Sequence, residues 1–218
     1  MPTIHYFSDK IIPRPQDWAD SVYVTGYLLS KLEPNYQPPK ELKDFIEEGN
    51  KPVYVGFGSM AVREPQRITN TIIEALAKSD KRAILLSGWA SLGTVDLPDN
   101  VYLLKEYVPF AWLFPQMATL IHHGGSGTVA LGLHSGIPQV IVPFFADRPA
   151  WGKTLQTLGV APPPIPIKEL TAKKLSEAID IAVTNPDLKA KAIKIAADLE
   201  SENGVKSATK VVQKYLPI

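Results

Sequence analysis

From Lys51 onward, short apolar runs alternate with stretches long enough for helices, and this rhythm narrows the possible folds more than any other property of the chain. Pro52-Val53-Tyr54-Val55-Gly56-Phe57 reads as a strand apolar on both faces. Behind it, Pro65 opens a helix in which Ile68, Ile72, Ile73 and Leu76 recur at helical spacing. Residues 82–86 and 101–104 form the next strands, 110–114 a helical turn, 119–122 a strand, and 128–134 a helix stopped by Gly136 and Pro138. A strand at 139–142 and a helix at 149–158, closed by Gly159, complete the alternation. Strands that are apolar on both faces bury themselves by lying parallel, with the intervening helices packed on either side. The expected class is α/β, a doubly wound parallel sheet of Rossmann-like type.

Proline marks what lies outside this alternation. The chain carries 20 prolines in 218 residues, roughly twice the usual 5%. Pro2, Pro13, Pro15, Pro34, Pro38 and Pro39 crowd the first 50 residues and favour extended chain over long helix. Within that region 21–26 reads as a strand and 41–48 as a short helix ending at Gly49. Residues 1–50 are expected to be a lead-in packed on the domain, and 51–218 the domain itself. Ala161-Pro162-Pro163-Pro164-Ile165-Pro166 is a stiff connector that can be neither helix nor central strand. Three helices follow, at 171–184, 186–201 and 204–215, with Thr171 and Asn185 as N-caps.

Composition removes several classes of function. With 23 Lys and Arg against 22 Asp and Glu, a net charge of +1 supplies no basic field for a nucleic-acid backbone. The absence of cysteine excludes thiol catalysis, cysteine-ligated metals and disulfides. No run approaches the roughly 20 apolar residues of a membrane helix, and Met1-Pro2-Thr3-Ile4-His5 lacks the character of a signal peptide. The expected setting is the cytoplasm, with any membrane contact made through a further domain.

Two glycine-bearing turns follow predicted strands, where open α/β sheets bind ligands. Gly56-Phe57-Gly58-Ser59-Met60-Ala61 mimics a dinucleotide fingerprint, but the second strand ends in Ser87-Gly88-Trp89 and offers no carboxylate to a ribose. NAD is therefore disfavoured, and the glycines also suit a plain strand-to-helix turn. The second loop, Ile121-His122-His123-Gly124-Gly125-Ser126-Gly127-Thr128, is denser. Its glycine amides, two hydroxyls and following helix start make a phosphate cradle. No Lys follows as in a Walker loop, and Ser126 lacks the spacing of a nucleophile elbow. Adjacent strand residues point to opposite faces, so one histidine is expected in the core and His123 at the ligand, without a shared metal. Asp147, before Pro149, reads as an N-cap worth about 1 kcal/mol that could also accept hydrogen bonds from sugar hydroxyls.

The ordered series formed by Val53-Tyr54-Val55-Gly56-Phe57-Gly58-Ser59, Gly88-Trp89, Val108-Pro109, Trp112-Leu113-Phe114-Pro115, the His-His-Gly-Gly-Ser-Gly-Thr loop, Gly136-Ile137-Pro138 and Pro143-Phe144-Phe145-Ala146-Asp147 resembles the C-terminal half of GT-B UDP-glycosyltransferases. The similarity is greatest to sterol 3β-glucosyltransferases and to bacterial macrolide and glycopeptide glycosyltransferases. It extends through Pro13-Arg14-Pro15-Gln16-Asp17-Trp18 and the closing helices, so it covers nearly the whole chain. The resemblance implies one half of a GT-B fold that binds a UDP-sugar, with the acceptor and the catalytic base on an N-terminal domain in cis or on a separate chain.

On this resemblance His123, Gly125, Ser126, Gly127 and Thr128 would hold the diphosphate, with Gly58 and Ser59 approaching from the opposite side. Val108 would bind the base through its backbone, with Trp89 or Tyr107 near the uracil, and Asp147 and Arg148 would face the sugar. No metal or other cofactor is implied, and the chain alone would bind donor without transferring sugar. Arg148 stands where the family usually has Gln, Leu131 where its plant branch has Glu, and Phe110 where its sterol branch has His. Arg148 could meet a carboxylated sugar or turn away. His5 and His134 have no motif around them and are expected to be structural. A non-catalytic UDP-sugar-binding regulatory module would share every one of these motifs.

Overall fold

The computed structural model describes residues 1–29, 32–58, 64–88 and 95–216. Five parallel strands form the central sheet: β3 (Val53–Gly56), β4 (Ala83–Leu86), β5 (Val101–Leu104), β6 (Leu120–His122) and β7 (Gln139–Ile141), in the order β5-β4-β3-β6-β7. Two further strands, β1 (Thr3–His5) and β2 (Val22–Val24), pair in parallel in the lead-in, with Ile4 opposite Tyr23. The sequence pattern indicates β2 but not β1. Three residues beside Pro2 carry little periodicity, and β1 gains its ladder from a partner about twenty residues away.

The helices are α1 (Lys40–Glu47), α2 (Pro65–Lys78), α3 (Phe110–Leu113), α4 (Ser126–His134), α5 (Arg148–Leu158), α6 (Ala172–Thr184), α7 (Pro186–Glu200) and α8 (Gly204–Tyr215). Strand alternation divides the core between the two faces of the sheet. Val53, Val55, Leu85, Ile121 and Val140 pack with Ile68, Ile72 and Leu76 of α2 and Leu175 and Ile179 of α6. Tyr54, Ile84 and Leu120 point the other way, onto Leu42 of α1 and Leu113 and Phe114 after β5. On the same side of β7, Ile141 meets Val129 and Leu133 of α4 and Leu155 of α5. Helices therefore cover both faces, as strands apolar on both sides require.

Local signals place the closing helices. Thr171 accepts a hydrogen bond from the Lys174 amide at 3.3 Å, and Asn185 accepts from the Asp187 and Leu188 amides at 2.9 and 3.3 Å. Both are N-caps, as their position predicts. The proline connector runs beside β7, where the Ile165 amide donates to Ile141 at 2.9 Å and the Ile167 amide to Pro143 at 3.1 Å. The lead-in is fastened to the end of the chain. Fully buried Ser8 donates to Glu202 Oε1 at 2.6 Å, Lys10 reaches Ser201 Oγ at 2.9 Å, and the hydroxyls of Tyr23 and Tyr215 lie 3.0 Å apart.

Candidate nucleotide-sugar site

The sheet order reverses beside β3. The chain moves outward through β4 and β5, then returns to lay β6 and β7 on the other side of β3. The helices that follow β3 and β6, α2 and α4, pack on opposite faces of the sheet, and open α/β sheets take their ligands in the crevice at such a point. Gly58 and His123 face one another across it: a Cβ on Gly58 would stand 3.1 Å from His123 Cε1. Gly58 has φ +57° and Gly124 φ +84°, left-handed values that suit glycine.

The two histidines have separate tasks. His122 is fully buried; its Nδ1 accepts from the Gly124 amide at 3.1 Å, so its proton sits on Nε2, which pairs with Gln139 Oε1 at 2.8 Å. Burial lowers its pKa to about 3 and holds the ring neutral. Gln139 fits because α4 carries glycine opposite it: a Cβ on Gly132 would lie 2.5 Å from the Gln139 side-chain amide carbon. Gly132, Gln139 and His122 thus form a relay that fixes the glycine loop. Sequence reasoning assigned no role to Gln139 or Gly132. The available signals were a lone polar residue heading an apolar strand and a glycine inside a helix.

His123 lies beyond β6, with its ring packed closely against Gly58 and Gly125. A Cβ on Gly125 would come within 2.5 Å of its Nε2. The residue is 7% exposed, and its Nδ1 is buried without a hydrogen-bond partner among the described residues. Burial depresses its pKa, Arg148's charge adds to that, and Asp147 opposes it. A buried, unpaired polar nitrogen costs free energy until something bonds to it.

Next to it, α4 begins at Ser126, two residues before the position that spacing predicts, because the small residues of its first turn hide the apolar pattern. Val129 is the first amide of this helix to bond back, to Gly125 at 2.9 Å. The amides of Ser126, Gly127 and Thr128 therefore make no hydrogen bond among the described residues and lie at the positive end of the helix. A Cβ on Gly127 would meet nothing within 4 Å, so the space above this turn is open.

Asp147 differs from the sequence expectation. It precedes α5 but makes no side-chain capping bond, since its own backbone is already helical at φ −78° and ψ −13°. Its Oδ2 instead accepts from Trp151 Nε1 at 3.2 Å, and Oδ1 lies 3.4 Å from Arg148 Nη1. Ala146 just before it adopts φ +59°, a strained value for a residue with a Cβ. Arg148 turns its guanidinium over the Phe145 ring, 4.9 Å from the centroid, and bonds the Phe145 carbonyl at 3.3 Å. Tyr107 is 87% exposed beyond the end of β5, whereas the Val108 side chain is buried. Ser59 and Trp89 lie outside the described residues.

A five-stranded parallel sheet of this order, with a glycine loop and free helix end at its switch point, is the Rossmann-like half of a GT-B glycosyltransferase. The kitacinnamycin glycosyltransferase structure superimposes with a TM-score of 0.82 at 22% identity, covering 99% of this chain and 55% of that one. The chain belongs to the erythromycin biosynthesis protein CIII-like C-terminal domain family, whose profile matches residues 70–216. Within it the sequence is sterol glucosyltransferase-like. It is 40% identical to a sterol 3-beta-glucosyltransferase of Arabidopsis thaliana over 217 residues, covering 100% of this chain and 34% of the relative. It is 34% identical over 249 residues to the UDP-sugar-dependent glycosyltransferase 52 of Dictyostelium discoideum, covering 100% of this chain and 15% of that protein. The chain thus spans about a third or less of the length of these relatives. No helix among the described residues is long and apolar enough to cross a membrane.

Proposed function

We propose that this chain is the donor-holding part of an inverting glycosyltransferase, binding a UDP-sugar whose hexose is passed to a hydroxyl acceptor such as a sterol or other lipid. The observation that carries the reading is the buried Nδ1 of His123, without a partner among the described residues, beside three amides of α4 that make no backbone hydrogen bond among the described residues, at the sheet's switch point. In this reading the amides of Ser126, Gly127 and Thr128 and the His123 ring hold the diphosphate. As the anomeric bond breaks, negative charge grows on the departing UDP, and dipoles already aimed at the phosphates stabilise it without reorganising. The relay from Gly132 through Gln139 and His122 keeps the Gly124 amide, and hence the loop, in place. Val108 offers its backbone to the base, and Asp147 accepts from sugar hydroxyls. The base that deprotonates the acceptor belongs to an acceptor domain, so this chain alone binds donor without turnover.

Titration calorimetry with UDP tests the reading. The chain is expected to bind UDP, and His123→Ala to weaken binding about tenfold while circular dichroism stays unchanged. A folded wild-type chain that gives no heat with UDP overturns the proposal.

A further inference from the structure

The glycine loop lies at the carboxyl ends of the strands. At their amino ends, among the segments that enter β3, β4, β6 and β7, is a separate cavity of about 500 Å³. Lys51 comes just ahead of β3, Lys81 and Arg82 just ahead of β4, and Lys189 reaches the cavity from α7. Asp80 is the one carboxylate among the described residues that line it. Apolar surface comes from Ile137 and Pro138, ahead of β7, and from Val183 at the end of α6. A net charge of +1 for the whole chain hides this local excess of cations.

None of the four cations forms an ion pair among the described residues. Two are fixed on neutral partners. Arg82 Nη1 donates to the Asn50 carbonyl at 3.2 Å and Nη2 to the Phe45 carbonyl, with the guanidinium 4.2 Å from the centroid of the Phe45 ring. Lys51 Nζ donates to the Pro115 carbonyl at 3.0 Å. Carbonyl oxygens hold these charges without cancelling them. Lys81 and Lys189 make no side-chain hydrogen bond among the described residues and can turn to a ligand. Like charges around a concave, low-dielectric wall reinforce one another and draw in an anion.

We propose that this cavity binds an organic phosphate, with the phosphate group on Lys81 and Lys189 and the apolar part on Ile137, Pro138 and Val183. Lysine ammonium groups serve phosphate as point charges. The volume is the room of about seventeen waters at about 30 Å³ each, several times what a bare phosphate ion fills. It falls in the range of about 300–1,000 Å³ usual for small-molecule sites. The phosphate belongs either to a free compound or to a lipid headgroup at a membrane surface, and the experiment separates these sources.

The whole chain is titrated in a calorimeter with inorganic phosphate and with phenyl phosphate. It is also sedimented with vesicles of phosphatidylcholine, alone or with about 20 mol % phosphatidate. The variants are Lys81→Gln combined with Lys189→Gln, and Lys210→Gln on α8 as a control outside the cavity, each checked for folding by circular dichroism. If the ligand is a free compound, phenyl phosphate is expected to bind at least about threefold more tightly than inorganic phosphate and about tenfold more weakly in the double variant, with Lys210→Gln unchanged. If it is a lipid headgroup, phosphatidate vesicles retain the wild-type chain and the control but not the double variant. A folded wild-type chain that takes up neither phenyl phosphate nor phosphatidate vesicles overturns the proposal. The four cations would then serve only the negative carboxyl ends of α2 and α6. Equal losses in the double variant and in Lys210→Gln, or none in either, also overturn it.

Discussion

His122 acts by remaining uncharged. A proton on Nδ1 would destroy its bond from the Gly124 amide and place a charge in the core. Its pKa falls from 6.5 in a solvated reference to about 3 in the fold, so between these values the unfolded chain binds the additional proton. The sign follows: the contribution is complete above pH 6.5 and is lost progressively as pH falls toward 3. Each pH unit within that interval costs about 1.4 kcal/mol from this group. Urea unfolding is expected to show falling stability between about pH 6.5 and about pH 4, with a shallower fall in His122→Gln, which lacks the titrating ring.

Within α4, two glycines that look alike in the sequence have opposite requirements. Gly132→Ala drives a methyl group to 2.5 Å from the Gln139 side chain and is expected to destabilise the chain by about 1–3 kcal/mol. Gly127→Ala meets open space at a helical position and is expected to hold stability or raise it by up to about 1 kcal/mol. It nevertheless places a methyl group where a phosphate would approach, so UDP binding is expected to weaken about tenfold. Thermal melts and calorimetry on the two variants check both halves of the contrast.

The same helix shows what the sequence could and could not convey. The strands from β3 to β7 were legible because apolar residues on both faces, bounded by glycine and proline, have few other uses. The start of α4 was less so, since Ser126, Gly127 and Thr128 have no hydrophobic period. The loop's place at the switch point of the sheet could be inferred from its glycines, which follow a predicted strand and precede a helix. The Gln139–His122 bond could not, because it joins residues 17 apart whose meeting depends on β6 and β7 lying side by side. For Asp147 the local rule gave the position but missed the partner. A cap requires an extended backbone, and the turn after β7 supplies a helical one.

At the scale of the whole molecule, the beginning and end of the chain are held together by a few polar contacts around Glu202. Ser8→Ala removes the 2.6 Å hydrogen bond to Glu202 Oε1, whose other oxygen is already buried without a partner among the described residues. The expected cost is about 1–3 kcal/mol, read as a lowered denaturant midpoint with unchanged slope. The proline connector acts at the same scale. It occupies the outer flank of β7 and donates to it through Ile165, with Ile167 bonding just beyond, while Pro162, Pro163, Pro164 and Pro166 have no amide hydrogen to offer. An exposed edge strand can recruit a strand from another molecule and grow into an aggregate. On this flank the sheet ends in a segment with few amides to donate to an added strand, so half of the ladder such a strand needs is missing and edge-to-edge addition is disfavoured without surface charge.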